Sequence, residues 1–236
     1  MPPMRLPITI FLLVASMPAS ASAQVGHDPA RSPYRTLRYG QFIGITGGWF
    51  GGSGGELEVA PHGGTAFGIR YDAFANGKLS LALAATRLGL ERTIIDPSQP
   101  IATARTDTVS QTTWIGEAIV QFNVTGGKTW NRLAPYLSAS MGFALAARTP
   151  QDQSGFRFRG KFALTPGIGT RVYLAEQVFL RLEARNLFWQ VTYPGSFRTP
   201  PTTAPSEPPV LAAPVKEWLG NGWYSVGLSV AFRRPF

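Results

Sequence analysis

One short stretch of the chain carries a charge at every second residue: Arg181-Leu-Glu183-Ala-Arg185. In an extended backbone successive side chains point to opposite faces, so these three groups share one face. Val178, Leu180, Leu182 and Ala184 share the other. Arg70 and Asp72 repeat the spacing, and Glu117 and Arg171 stand on two further alternating stretches. Four positive and three negative groups gathered in one enclosed place could select an ion or a small polar substrate. They could equally neutralise one another and fix the register of the strands that carry them. The near-balance of charge favours that second, structural reading.

Hydrolytic chemistry asks for more. A hydroxyl nucleophile needs an imidazole within hydrogen-bond reach. The sequence holds two histidines, His27 and His62. His27 lies in a segment without periodicity, far from any strand. His62 sits in Pro61-His62-Gly63-Gly64, where a solvated loop histidine is the plainer reading. The same placement argues against a histidine-based metal site. The absence of cysteine removes thiol nucleophiles, disulfides and thiolate ligands together. The glycines between Gly47 and Gly55 are not a phosphate loop, since no lysine follows and no helix opens there. No catalytic residue, cofactor or metal is expected.

Strands must position the charged residues, and the sequence offers eight. Gly40–Phe50 aligns Ile43, Ile45 and Trp49. Thr65–Phe74 sets Phe67, Ile69, Tyr71 and Ala73 against Gly68, Arg70 and Asp72. Leu79–Leu90 opens with Leu79, Leu81 and Leu83 against Ser80, Ala82 and Ala84. Thr112–Val124 sets Trp114, Val120 and Phe122 against Glu117, Gln121 and Asn123. Ala134–Ala146 sets Leu137, Met141 and Phe143 against Tyr136, Ser138 and Ser140. Arg159–Leu174, Val178–Val191 and Trp223–Phe236 complete the series. Pro166, inside the sixth stretch, removes a ladder donor and is expected at a bulge beside Gly167 or near a strand end.

The connections alternate between long and short. Gly51–Gly64, Glu91–Gln111, Ala147–Phe158 and Thr192–Gly222 are long. Ala75–Lys78, with its Asn76-Gly77 hairpin signal, Thr125–Leu133 and Ala175–Gln177 are shorter. This is the pattern of a transmembrane barrel with short turns at one end and longer loops at the other. A soluble lipocalin-like barrel would put the large apolar residues inside, where eight strands leave too little room for them. A β-sandwich gives no reason for strict loop alternation. The expected fold is therefore all-β, an eight-stranded antiparallel up-and-down transmembrane β-barrel.

Composition agrees. Charged residues make up 15% of the 236 residues, against the ~25% usual in soluble domains. No apolar run of eighteen residues exists, so no helix is expected to span a bilayer. The 22 Lys+Arg against 13 Asp+Glu are scattered through the chain rather than clustered, which argues against nucleic acid as a partner. Residues 1–23 read as a signal peptide: Arg5, an apolar core from Ile8 to Met17, then Ala21-Ser22-Ala23 before the cleavage point. Residues 24–38, with Pro29 and Pro33, read as a flexible periplasmic leader, and 39–236 as the barrel domain.

The segment Ala134–Val191, with PYLSASMGFAL, FALTPGIGTRVYL and VFLRLEARNLFW, resembles the outer-membrane β-barrel superfamily of OmpA-like and OmpW-like proteins. The resemblance implies fold rather than activity, and no peptidoglycan-binding domain follows the barrel in this sequence. The last strand also resembles the insertion signal of such barrels: Tyr224, Val226, Leu228, Val230 and Phe232 on one parity, and a terminal Phe236. Arg234 and Pro235 depart from that signal. The resemblance implies the barrel-assembly machinery as a partner through this strand and outer-membrane lipid as surroundings, and the long–short loop alternation places both termini on the periplasmic side. It also frames the expected function: a small outer-membrane barrel, not an enzyme, with a structural or surface-interaction role. A lipid-modifying enzyme or a small-solute channel is the alternative. The Pro-rich segment 192–222, with seven prolines, is expected to be a mobile, polyproline-biased surface loop.

Overall fold

Among the described residues, alternation of large apolar with small or polar residues produces ten strands, whose ranges follow in chain order. They are β1 (Tyr34–Thr36), β2 (Gln41–Phe50), β3 (His62–Phe74), β4 (Leu79–Ile95) and β5 (Arg105–Asn123). Then come β6 (Lys128–Trp130), β7 (Leu133–Ala146), β8 (Gly160–Ala175), β9 (Val178–Thr192) and β10 (Lys216–Ala231). The computed structural model describes residues 32–38, 40–74, 77–212 and 215–232. The segment read as a signal peptide, His27, Asn76, Arg234, Pro235 and Phe236 lie outside the described residues.

Eight of the strands form an antiparallel meander that closes on itself. β2, β3, β4, β5, β7, β8, β9 and β10 pair in sequence, and β10 returns to pair with β2. Closure pairs both edges of every barrel strand and so removes the exposed ladder that an open sheet would present. The short β1 pairs with β6 beside the barrel, within the span read as a leader. Register matches the side-chain parity except at strand-end shifts between His62/Gly64, Ile94/Ile95 and Tyr173/Ala175: Ile45 lies opposite Ile69, and Leu228 opposite Leu180.

The outward face is apolar and open. Ile45, Phe67, Phe143 and Leu182 are all exposed, as are Tyr224, Val226, Leu228, Val230 and Phe232 of the last strand. An exposed apolar belt of this extent suits hydrocarbon rather than water.

Three features differ from the expected pattern. β4 and β5 run past the predicted limits, pairing as far as Ile95 opposite Arg105, so most of the expected 91–111 loop is a projecting hairpin. β10 starts at Lys216, and Gly220-Asn221-Gly222 pairs with Phe188, Leu187 and Asn186 instead of looping. Pro166 lies mid-strand in β8, neither at a bulge nor at an end. Its ladder to β9 is interrupted between Leu164↔Phe188 and Gly167↔Arg185 without a change of register. Pro166 is exposed on the outward face.

The long connections fold inward over one end of the barrel. Leu57, Val59 and Ala60 from 51–61, Phe156 and Phe158 from 147–159, and Phe197, Val210 and Leu211 from 193–215 join one buried cluster. Trp189, Trp223 and Phe50 of the barrel wall complete it. The Pro-rich segment is thus anchored: a 3₁₀ turn at Gly195–Arg198 buries Phe197, and Leu211 donates its backbone N–H to the Phe197 carbonyl at 2.9 Å. At the other end Phe42, Tyr173 and Phe179 form a second apolar layer, against which Phe74 packs.

Candidate functional site in the barrel lumen

Four strands carry the seven charged residues inward, and all seven are buried. β3 supplies Arg70 and Asp72, β5 Glu117, β8 Arg171, and β9 Arg181, Glu183 and Arg185. They form two ion-paired clusters and one separate arginine.

The first cluster spans the lumen from β3 to β9. Arg181 donates to both Asp72 oxygens, at 2.5 Å to Oδ2 and 3.2 Å to Oδ1, and Arg70 Nε donates to Oδ1 at 3.2 Å. Arg70 Nη1 also donates to both oxygens of Glu183, at 3.1 and 3.2 Å. The Tyr136 hydroxyl completes the group, donating to Glu183 Oε1 at 2.7 Å. A forked guanidinium on a carboxylate is the strongest of the common side-chain pairings.

The second cluster centres on Glu117. Arg185 Nη1 donates to its two oxygens at 3.3 and 3.1 Å, and Ser140 and Thr165 donate hydroxyls to Oε1 at 2.7 and 3.1 Å. Trp223 covers the Arg185 guanidinium at 3.9 Å, which joins this cluster to the apolar layer above.

Arg171 departs from the expected network. Among the described residues it meets no carboxylate at ion-pair distance. It donates instead to Asn123 Oδ1 at 2.8 Å, Gln121 Oε1 at 2.5 Å and Ser80 Oγ at 3.3 Å. The rings of Tyr136 and Phe74 lie 4.4 and 4.8 Å from its guanidinium carbon. Neutral acceptors and ring faces do the work that a carboxylate does elsewhere.

Glycines make room for this filling. A Cβ at Gly169 would stand 2.5 Å from the Tyr136 ring, and one at Gly167 would stand 2.5 Å from Arg185 Cγ. Small residues on β8 are what allow the large side chains of β7 and β9 to lie across the lumen.

Sequence reasoning missed a further ion pair. Arg92 on the projecting hairpin pairs with Asp152 of 147–159, lies 5.1 Å from the Phe156 ring and donates to the Val59 carbonyl at 3.2 Å. It therefore ties two loops to β4. Tyr193 donates to Glu217 at 2.6 Å, and burial first, then that hydrogen bond, pushes its hydroxyl above the ordinary phenol range. Ser196 donates to the Ser154 carbonyl, and Thr203 to the Ser98 carbonyl, linking the remaining loops. His62 Nδ1 lies 2.9 Å from the Ala60 carbonyl, its partner within the loop that leads into β3.

A closed antiparallel meander of eight strands, apolar outside and filled by ion pairs inside, defines an eight-stranded transmembrane β-barrel. A solved structure shares that fold. The crystal structure of Neisserial surface protein A has a TM-score of 0.51 at 14% identity, covering 81% of this chain and 97% of that one. OprG from Pseudomonas aeruginosa gives 0.49 at 14% identity, covering 86% and 99%. The outer membrane enzyme PagL gives 0.40 at 10%, covering 81% and 99%. No protein-family model matches the chain. No curated protein sequence matches it either.

Proposed function

We propose that the protein is a plugged outer-membrane barrel whose work is done at its capped end, as a structural or surface-interaction protein rather than a channel or enzyme. One observation carries this reading: the lumen is filled in depth. Apolar side chains at the short-turn end, two ion-paired clusters in the middle and an apolar layer below interlocked loops stand in series along it. An open aqueous path needs polar groups that water can solvate, and here the charged groups solvate one another.

In this reading the capped end faces outward from the cell and both termini face the periplasm. The β10 face carrying Tyr224, Val226, Leu228, Val230 and Phe232 is what the barrel-assembly machinery engages, and outer-membrane lipid then surrounds it. Purified protein in planar bilayers tests the plug. A flat trace with rare small flickers is expected. Long-lived openings of uniform size would reject the plug in favour of a solute channel.

A further inference from the structure

Beneath the loop 147–159 lies a cavity of about 690 Å³, between the end of β7 and the start of β8. That volume is in the range of small-molecule sites. We propose that it binds a phosphorylated saccharide, which deepens the surface-interaction reading above.

The charge of the lining comes first. Arg92, Arg148, Arg157 and Arg159 line the cavity, and Asp152 is the one carboxylate among its lining residues. Asp152 is already held by Arg92. Four positive charges against one negative leave the lining at +3. Arg148, Arg157 and Arg159 are exposed and meet no carboxylate at ion-pair distance among the described residues. Guanidinium forks match the paired oxygens of a phosphate.

The second observation is independent of charge. Gln111 is 5% exposed and lines the same cavity. Its Nε2 donates to the Ala147 carbonyl at 2.7 Å and to Thr149 Oγ1 at 3.3 Å, which fixes the amide orientation. Oε1 is then a buried acceptor with no protein donor. A fully ionised phosphate cannot satisfy it, because it too only accepts. A sugar hydroxyl can. The two observations together call for a ligand that brings anionic oxygens to the arginines and a hydroxyl to Gln111.

Backbone geometry agrees. Arg159 holds φ at 53°, in the left-handed region that residues other than glycine rarely adopt. Strain of this kind gathers where a side chain must be held in place. The ligand has two sources: the headgroup of a phosphorylated glycolipid in the adjoining leaflet, or a soluble sugar phosphate.

Calorimetry on the full-length barrel in phosphatidylcholine nanodiscs tests the site, with N-acetylglucosamine 1-phosphate as the soluble probe. The other arm uses nanodiscs doped with a phosphorylated glucosamine-disaccharide lipid. Arg157→Gln with Arg159→Gln should raise the Kd at least tenfold in whichever arm binds, and Gln111→Glu should do the same. Arg105→Gln, whose partner is Glu58 away from the cavity, should leave it unchanged. Circular dichroism confirms that each variant is folded, and the paired arginine change keeps the test valid if Gln111→Glu does not fold. Tighter binding in the doped discs identifies the lipid headgroup, and equal or tighter binding of the soluble probe identifies the free sugar phosphate. Unchanged affinity in the arginine variant, no binding in either arm, or inorganic phosphate binding as tightly as the sugar phosphate would overturn the proposal. No binding by the unsubstituted barrel, with a flat conductance trace, refutes the site alone, whereas conduction refutes the plug alone.

Discussion

Arg181 and Asp72 meet in the middle of the barrel, from strands separated by β2 and β10, through two hydrogen bonds of 2.5 and 3.2 Å. The pair braces opposite parts of the wall. Removing one partner strands the other in an enclosed lumen, a loss of roughly 3–5 kcal/mol for buried pairs. Asp72→Leu should therefore lower unfolding stability in urea by about that much. Asp72→Leu with Arg181→Met, which removes both charges, should recover part of the loss. A double variant no better than the single would show that the pair is not a closed unit.

The two faces of β9 make opposite demands on neighbouring positions. Leu182 points outward and is exposed, while Glu183 points inward to Arg70 and Tyr136. An arginine at position 182 should cost roughly 2–4 kcal/mol near the bilayer midplane. Leu182→Arg should slow or abolish insertion into lipid vesicles. Glu183→Gln keeps one acceptor oxygen for Arg70 and Tyr136 and puts no charge on the lipid face, so it should insert at a near-normal rate and lose stability instead. Equal insertion rates for the two variants would contradict the assignment of faces.

Much of the fold is legible in the sequence. Period-2 alternation marked eight strands and told lumen from lipid face, because only small and charged residues fit inside so narrow a barrel. Pairing was not legible. Arg171 reads as one more member of a charge network, but whether its partner is a carboxylate or Gln121 depends on register across the lumen. Lys216–Gly222 reads as loop because Gly220-Asn221-Gly222 has turn composition, and only its ladder with β9 makes it strand. The cap was hidden for a related reason. Leu57, Val59, Phe197 and Val210 lie in short apolar patches without strand periodicity within Gly- and Pro-rich stretches, and their burial arises from contacts distant in sequence.

Gly169 has a packing role that a single methyl group tests. A Cβ there meets the Tyr136 ring at 2.5 Å, and overpacking of this kind costs roughly 1–3 kcal/mol. Gly116 has nothing within 4 Å of its virtual Cβ. Gly169→Ala should lower the unfolding midpoint, and Gly116→Ala should not. Similar midpoints for the two would mean that Tyr136 shifts without cost.

The cap should also respond to alkaline pH through Tyr193. Its hydroxyl is neutral and donates to Glu217, and its folded-state pKa is raised. The stabilisation is fully present below the ordinary phenol value of about 10 and is lost as pH rises through the higher folded value. Protease resistance of 193–215 should hold at pH 9 and fall only at strongly alkaline pH. In Tyr193→Phe that step should be absent, with some resistance lost at every pH. An identical alkaline step in the variant would assign the transition to another group.

Arg92 and Asp152 hold the loop 147–159 against the β4–β5 hairpin, with Phe156 beside the guanidinium. Both side chains are buried, so Asp152→Asn leaves Arg92 without its carboxylate where water is scarce. The loop then opens more often. If cleavage follows the open population, each 1.4 kcal/mol lost raises the rate about tenfold. Trypsin should cut after Arg157 or Arg159 at least tenfold faster in Asp152→Asn, while the barrel strands stay intact. Arg105→Gln breaks the exposed pair with Glu58 on the same hairpin and should change the rate little, since exposed pairs are worth about 0–1 kcal/mol. Equal acceleration in both variants would mean that charge at the rim, rather than the buried pair, holds the loop down.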